Sequence, residues 1–444
     1  MEEKTIIAIE IGSSKVRGAI GTCSPSGVLT VQSVDEEPMQ EWVRYGAVSN
    51  VEEVATLVNR IIRKIENRVS PRKVKSVYVA MGGRSFCSLP REVTNQFADE
   101  VEITDEVLSR LAADAAVSPY VDRELLQVVP REYMVDKAVV SRPKGTVGRS
   151  IRMSANLITC RPQTKRNIDR LFAEKLKLDI AGYKVRQLAL ADVVLTTDEK
   201  RLGCMLVDFG AETTTVSVYK NGRLQYLATL PIGSRNITRD IMKLNYVEEK
   251  AEDIKCTVGN ASGAAPQSVP FSGTDYSEVN NYVSHRAGEI IANIREQLKY
   301  AGFSIQDLPR GIVIVGGGAR LAGFNERLAA TLAMPIRTGS VNLAEVRIPD
   351  SRISPTDACD VISVLYRAAV DGAADCLTVP VEPEPVPEPE PEPEPQPVVD
   401  VVEVEPQRRN KKGPGFWGSI RERMVNLMTE TDDDDDDSEL RDDI

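Results

Sequence analysis

The sequence predicts an α/β protein with two duplicated core halves, a small α+β insertion, a disordered linker and a C-terminal amphipathic helix. Three observations predict it. An apolar run ending in acid-x-Gly, Thr5 to Gly12, recurs as Cys204 to Gly210, and each is followed by a return strand. Between the two copies, residues 84–160 change texture to short alternating strands around one helix. Beyond Val379 the chain becomes a Pro/Glu tract with no apolar periodicity, which cannot offset chain entropy by burial.

The first copy opens with the β-branched run Thr5-Ile6-Ile7-Ala8-Ile9, turns at Gly12-Ser13-Ser14, returns over 16–20 and adds a third strand over 28–34. Asn50 then caps a helix whose apolar residues Val51, Val54, Leu57, Val58, Ile61, Ile62 and Ile65 share one face. A buried-looking strand over 74–81 ends at Gly82-Gly83. In the insertion, Thr104 caps a helix over 105–116. Residues 163–198 read as two helical patterns.

The second copy runs from Gly203. Its return strand spans 213–219, Asn221-Gly222 makes a hairpin turn, and a third strand spans 224–230. Helical patterns fill 236–301. A last strand over 311–315 runs into Gly316-Gly317-Gly318. The expected domains are therefore 1–83 with 161–199 as the first core, 84–160 as the insertion, 200–235 with 306–377 as the second core, and 236–305 as its outer subdomain. A linker over 378–412, a helix over 413–430 and an acidic tail over 431–444 complete the chain.

The net charge of −11 misrepresents the folded part. Residues 378–444 alone carry −13, so the remainder balances at +2 and gives no electrostatic reason to expect nucleic acid. Seven cysteines without a C-x-x-C pair, and no signal peptide, read as reduced cytosolic thiols. The single histidine, His285, excludes the common His-ligand and Ser-His-Asp constellations by counting.

Near the C-terminus, Phe416, Trp417, Ile420, Met424, Leu427 and Met428 fall within an arc of roughly 120° at helical spacing, with Arg421 and Arg423 at its edges. The pattern is shorter than the about 20 apolar residues that span a bilayer. It fits a helix lying in the headgroup plane of an anionic membrane surface, aromatics inward and arginines on lipid phosphates. The alternative is an amphipathic helix docked on its own domain. Asp432 to Asp437 forms a like-charge tail.

The Gly-rich turns carry the chemistry. A Gly-Ser-Ser turn presents backbone N–H groups and hydroxyls to an anion. Turns at 12–14 and 210–214 could grip a polyphosphate from two sides. Glu10 and Asp208, at the two strand ends, could hold a hydrated Mg²⁺. Gly316, Gly317 and Gly318 would let a flat base approach the backbone.

This ordered set resembles the actin-like ATPase superfamily. Its first phosphate loop matches Ile9-Glu10-Ile11-Gly12-Ser13-Ser14-Lys15-Val16, its second Val207-Asp208-Phe209-Gly210-Ala211-Glu212-Thr213-Thr214, and its adenosine motif 311–323. Within it the chain resembles the FtsA family of bacterial cell-division proteins, through Val129-Pro130-Arg131-Glu132-Tyr133, Leu230-Pro231-Ile232-Gly233, Asn236 to Ile241 and Ala251 to Lys255.

The resemblance implies an actin-like two-lobed fold closing on ATP and Mg²⁺. Gly12, Ser13, Ser14, Lys15, Gly210, Thr213, Thr214 and Gly316 to Gly318 would line the nucleotide, and Glu252 and Lys255 would reach ribose and adenine. It implies a filament-forming adaptor, peripheral on the cytoplasmic side of the inner membrane at the division septum. There it would tether the tubulin-like FtsZ and help recruit later divisome proteins. Arg286 and Glu289 lie on the lobe that would receive the FtsZ C-terminal tail; a solvated i,i+3 pair is the equal alternative. Glu10, Ala211 and Glu212 depart from the family loops, and crowding of the phosphates by Ala211 and Glu212 implies at most a slow ATPase. Two other readings are a small-molecule kinase, for which no acid is free, and an actin-fold scaffold of pilus assembly, which usually lacks the linker and terminal helix.

Overall fold

Strands that read as unbroken apolar runs must be covered on both faces, and the first sheet is built that way. In the computed structural model residues 3–117, 121–264 and 276–378 are described; the linker, C-terminal helix and acidic tail lie outside them. The first sheet orders its strands Asp179–Val185, Ser76–Met81, Lys4–Ile11, Lys15–Cys23, Leu29–Pro38 and Val346–Arg347. Ile6 to Ile9 have no exposure at all. Helix Val51–Val69 covers the sheet through Val54, Val58, Ile61 and Ile65, and its cap Asn50 accepts the Glu53 N–H as its sequence requires. Helix Cys359–Val370 packs on the same sheet.

The second sheet repeats the order. Ile336–Thr338, Ile312–Val315 and Cys204–Phe209 run parallel, then Thr214–Lys220 and Arg223–Leu230 fold back antiparallel. The duplication read from two turns is thus a duplication of topology. Asn221 and Gly222 both have positive φ, the geometry that tightens the expected hairpin. One face of this sheet (Met205, Val207, Phe209, Val216, Val218) packs under helices Ser234–Met242, Glu248–Val258 and Ser277–Ala301. The other face (Leu206, Tyr219, Val313, Val315) joins the core of the first half.

Two expectations need correction. Residues 163–198 do not hold two helices alone: the helix from Pro162 stops where Lys177 turns left-handed (φ 55°), and strand Asp179–Val185 then pairs with Ser76–Met81. This strand is only half-buried, so its side chains carry no clean period-two signal. Residues 346–377 do not belong to the second core. Val346 pairs with Leu29, helix Cys359–Val370 buries Val361, Ile362 and Leu365 in the first core, and Thr378 N–H donates to the Lys73 carbonyl. A strongly apolar helix states that it is buried, not which sheet it covers.

The insertion is an α+β unit, as expected. Strands Cys87–Glu102, Glu124–Val135, Ala138–Val140 and Val147–Cys160 carry helix Asp105–Ala116, capped by Thr104, over a separate core of Ile103, Leu111, Tyr133, Val135, Ile151 and Met153. Its chain leaves and rejoins the first half, yet its sheet continues the second. Cys87 pairs with Ala228, Ser88 Oγ both donates to the Leu227 carbonyl and accepts its N–H, and buried Asn156 Nδ2 donates to the carbonyls of Leu224 and Gln225. The nine strands form one sheet.

Asn156→Ala is expected to lower unfolding stability by about 1–3 kcal/mol, since the buried Leu224 carbonyl and the part-buried Gln225 carbonyl lose this donor. Urea unfolding with amide exchange checks it, the protection loss falling on 223–230. Unchanged stability would show that the Asn156 amide contributes nothing to the seam.

Candidate functional site

The two turns are built alike. Gly12 N–H donates to the Lys15 carbonyl at 3.0 Å, and Gly210 N–H to the Thr213 carbonyl at 2.9 Å. Behind each turn stands its acid. Glu10 and Asp208 are almost wholly buried, and a Cβ at Gly12 would lie 3.6 Å from Glu10 Oε1. The third glycine cluster abuts the second turn. Gly316 has φ 90°, and a Cβ on it would meet the Phe209 carbonyl at 2.4 Å and Asp208 Oδ1 at 3.0 Å. Gly318 packs on the Phe209 ring. Gly317 alone faces open space, into a cleft of about 210 Å³ lined by Arg17, Val315, Gly316, Ala319, Thr338 and Asp360 among others.

The expected ligands for a nucleotide are distributed as follows. Ser13 Oγ accepts the Gly46 N–H at 3.1 Å, and Ser14 is exposed. Lys15 Nζ holds both carboxylate oxygens of Glu36, at 3.0 and 2.9 Å. Thr213 is buried in the turn, and Thr214 Oγ1 donates to the Ile232 carbonyl at 2.8 Å, a structural bond. Lys255 Nζ turns inward to Glu252 Oε2 at 2.7 Å and Thr238 Oγ1 at 3.0 Å, so this pair is engaged with itself on helix Glu248–Val258. That helix ends against the glycine loop, where Ala261 N–H donates to the Ala322 carbonyl.

Between the two acids stands a side chain that the sequence did not single out. Arg186 Nη1 donates to Glu10 Oε1 at 3.2 Å, and Nη2 to Asp208 Oδ2 at 2.5 Å. Arg17 Nη1 reaches Glu10 Oε2 at 3.4 Å and Asp360 Oδ2 at 3.7 Å. Arg186 Nη1 lies 3.8 Å from Asp360 Oδ1, a buried oxygen without a hydrogen bond. Three carboxylates thus face two guanidiniums. The hydrated Mg²⁺ expected on Glu10 and Asp208 does not fit this arrangement: a fixed cation already occupies the ground between the acids, and Mg²⁺ keeps several waters there.

Burial, with repulsion from Asp360 and Glu10, outweighs the pull of Arg186 and raises the Asp208 carboxyl to about 7. Burial, and then Asp360, raises Glu10 as well. With one negative charge in excess and one acceptor unmet, retention of a proton by the cluster is the physical outcome.

The departures in the second loop also have partners. Glu212 is buried, takes Arg239 Nη2 at 3.0 Å and Arg235 Nη1 at 3.5 Å, and accepts the Tyr45 N–H of the first half at 2.5 Å. The Ala211 carbonyl accepts the Arg235 N–H at 2.7 Å. Glu212 is therefore held by three donors of the protein, one across the cleft. Arg286 is likewise engaged: Nε and Nη2 fork onto Asp240 at 2.6 and 3.2 Å, and Nη1 bonds Glu289.

Of the residues the sequence reading passed over, Asp360 left a signal, a lone acid in the apolar run of helix Cys359–Val370. Arg17 left another, a charge between buried Val16 and Gly18. Arg186 left none, because it opens a helix whose start was not recognised.

Two family models match the chain: Cell division protein FtsA over residues 205–354, and the SHS2 domain inserted in FTSA over residues 83–159. A Cell division protein FtsA of Porphyromonas gingivalis is 32% identical over 366 residues, covering 80% of this chain and 74% of that protein. The FtsA of Pseudomonas aeruginosa is 28% identical, with coverages of 76% and 83%, and that of Escherichia coli K12 27%, with 76% and 84%. Among solved structures, a chain of a PilM–PilN type IV pilus biogenesis complex superposes with a TM-score of 0.59 at 16% identity, covering 82% of this chain and 98% of that one. At that identity the likeness concerns the fold, which is the actin-like ATPase fold.

The buried acids set a pH dependence. Asp208 has an ordinary value of 3.8 and a folded value of about 7, so between them the folded state holds the extra proton. Its contribution to stability is present at low pH and lost as pH rises through about 7. Asp208→Asn is expected to flatten this decline. Urea midpoints of both proteins across that range decide it; parallel profiles would refute the assignment.

Proposed function

The chain belongs to the FtsA family of cell division proteins, and on that premise we propose that it is an ATP-binding, polymerising actin-like adaptor. It would tether FtsZ filaments to the cytoplasmic membrane at the division site and help recruit later divisome proteins. The observation that carries the nucleotide part is the pair of identically closed turns, 12–15 and 210–213, beside a glycine cradle whose Gly317 opens into a cleft. Backbone N–H groups at the turns suit phosphates, and the bare Gly317 backbone suits the flat face of a base. The cleft, at about 210 Å³, is smaller than the roughly 300–1,000 Å³ of small-molecule sites. Nucleotide therefore enters with the two lobes further apart, and this couples occupancy to lobe angle.

Nothing in the cleft calls for rapid turnover. Both acids are tied to arginines, and Asp360, the carboxylate of the cleft lining with an oxygen outside any hydrogen bond, is ion-paired to Arg17 and Arg186. The nucleotide is accordingly a conformational ligand, with hydrolysis slow.

The membrane part rests on the amphipathic pattern of Phe416, Trp417, Ile420, Met424, Leu427 and Met428 with Arg421 and Arg423. No helix among the described residues is long and apolar enough to cross a membrane. The FtsZ part rests on family membership and on the lobe that carries Arg286 and Glu289. Because Asp240 already fills the Arg286 fork, an incoming tail carboxylate would have to displace that bond or use its edge.

Gly317→Glu is expected to weaken ATP at least about tenfold by filling the cradle, with an unchanged melting temperature because its Cβ meets nothing within 4 Å. Isothermal titration checks it, and parent-like affinity would move the base elsewhere. The adaptor itself is tested by sedimenting the protein with anionic vesicles and FtsZ. The parent should carry FtsZ into the pellet, Trp417→Glu should leave both in solution, and Arg286→Glu should bind vesicles without FtsZ. Vesicle binding by Trp417→Glu equal to the parent's would refute the anchor. Parent pellets without FtsZ would refute the tether.

A further inference from the structure

We propose that Arg186 is the resident cation of the phosphate site, so that the cleft takes a nucleoside triphosphate without needing a divalent metal. The inference rests on the nucleotide reading above and concerns how the same site manages charge. Its starting point is geometry. The guanidinium bridges Glu10 Oε1 at 3.2 Å and Asp208 Oδ2 at 2.5 Å, joining the acids of the two turns with one planar group. A divalent ion held through water by those acids would need the same ground.

The chain fixes Arg186 firmly. It is the first residue of helix Arg186–Val194, directly after strand Asp179–Val185, and helix residues Ala189, Leu190, Ala191 and Val193 are fully buried. Its stem runs beside Gly82, where an added Cβ would lie 3.4 Å from Nε. Arg17 and Asp360 close the network on the other side.

Charge points the same way. A guanidinium keeps its proton under all ordinary conditions and has five N–H donors in a fixed fork. The acids take one N–H from each terminal nitrogen, so they do not use up the fork. Adding a dication would place it against two buried guanidiniums, and expelling Arg186 would leave buried carboxylates unpaired. Glu10 belongs to this design: with one methylene more than Asp, its two oxygens reach separate arginines, Oε1 to Arg186 and Oε2 to Arg17.

The full-length chain tests this with a fluorescent methylanthraniloyl-ATP, titrated by anisotropy in excess Mg²⁺ and in excess EDTA. The parent is expected to bind with dissociation constants within about threefold of each other. Arg186→Gln is expected to lose about tenfold or more in EDTA and to regain affinity with Mg²⁺. Parent binding that collapses in EDTA and returns with Mg²⁺ overturns the inference and leaves the nucleotide reading intact. Failure to bind in either condition overturns both. Equal binding by a folded Arg186→Gln in EDTA also overturns it. Should that variant not fold, Mn²⁺ electron paramagnetic resonance on the parent decides: the spectrum of free Mn²⁺ is expected, and a bound signal abolished by Asp208→Asn would overturn the proposal.

Discussion

The two halves of this molecule are held at the floor of their cleft by buried charge. Glu10 belongs to the first half and Asp208 to the second, and the Arg186 guanidinium spans them. Neither acid could stay buried and ionised alone, since the desolvation cost would neutralise it. The arginines make the acids tolerable, and the acids hold the arginines. The position of the first turn follows, because Gly12 sits upon Glu10. So does the glycine at 316, whose missing side chain leaves room for Asp208 and the Phe209 carbonyl.

Residues that look like losses in the phosphate loops become parts of other bonds. Glu212 does not point its charge at a phosphate without compensation. Arg235 and Arg239 hold it from one helix, and the Tyr45 N–H meets it from the opposite half. The cleft thus carries two separate ties, Arg186 at the acids and Glu212 at the Tyr45 loop. A substitution judged against a motif alone would read as damage; judged against its partners it reads as a different way of joining the halves.

The sequence made the core legible where local chemistry decides. Asn50 and Thr104 cap their helices, Asn221-Gly222 turns its hairpin, and the twin acid-x-Gly turns announce a duplication that the strand order bears out. What remained hidden was decided by tertiary contact. Strand Asp179–Val185 is half-exposed and so lost its period. Helix Cys359–Val370 is apolar on too many sides to reveal which sheet it serves. Arg186 could not be found by spacing, because its partners lie 176 and 22 residues away. Glu10 and Asp208 stand at the strand ends where the sequence places them, while the guanidinium between them leaves no sequence signal.

The insertion has two allegiances. Its chain enters from Gly83 and leaves at Arg161, both in the first half, while its sheet is stitched to strand Arg223–Leu230 of the second. That stitch combines one strand pairing, the Ser88 bonds, the Asn156 amide, an Arg131–Gln225 bond, and Arg223, which donates to the Ser141 carbonyl and lies over the Tyr133 ring. The junction is braced from within by Arg123, whose guanidinium gathers the Ser85 carbonyl and the Thr159 hydroxyl and carbonyl. A body leashed to one partner and buttoned to the other cannot ignore a change in the angle between them. Any opening of the cleft must either drag the insertion along with the second half, bending the braced leash, or undo the buttons and let it ride with the first. In both cases a small rotation deep in the protein emerges as a swing of its outermost surface.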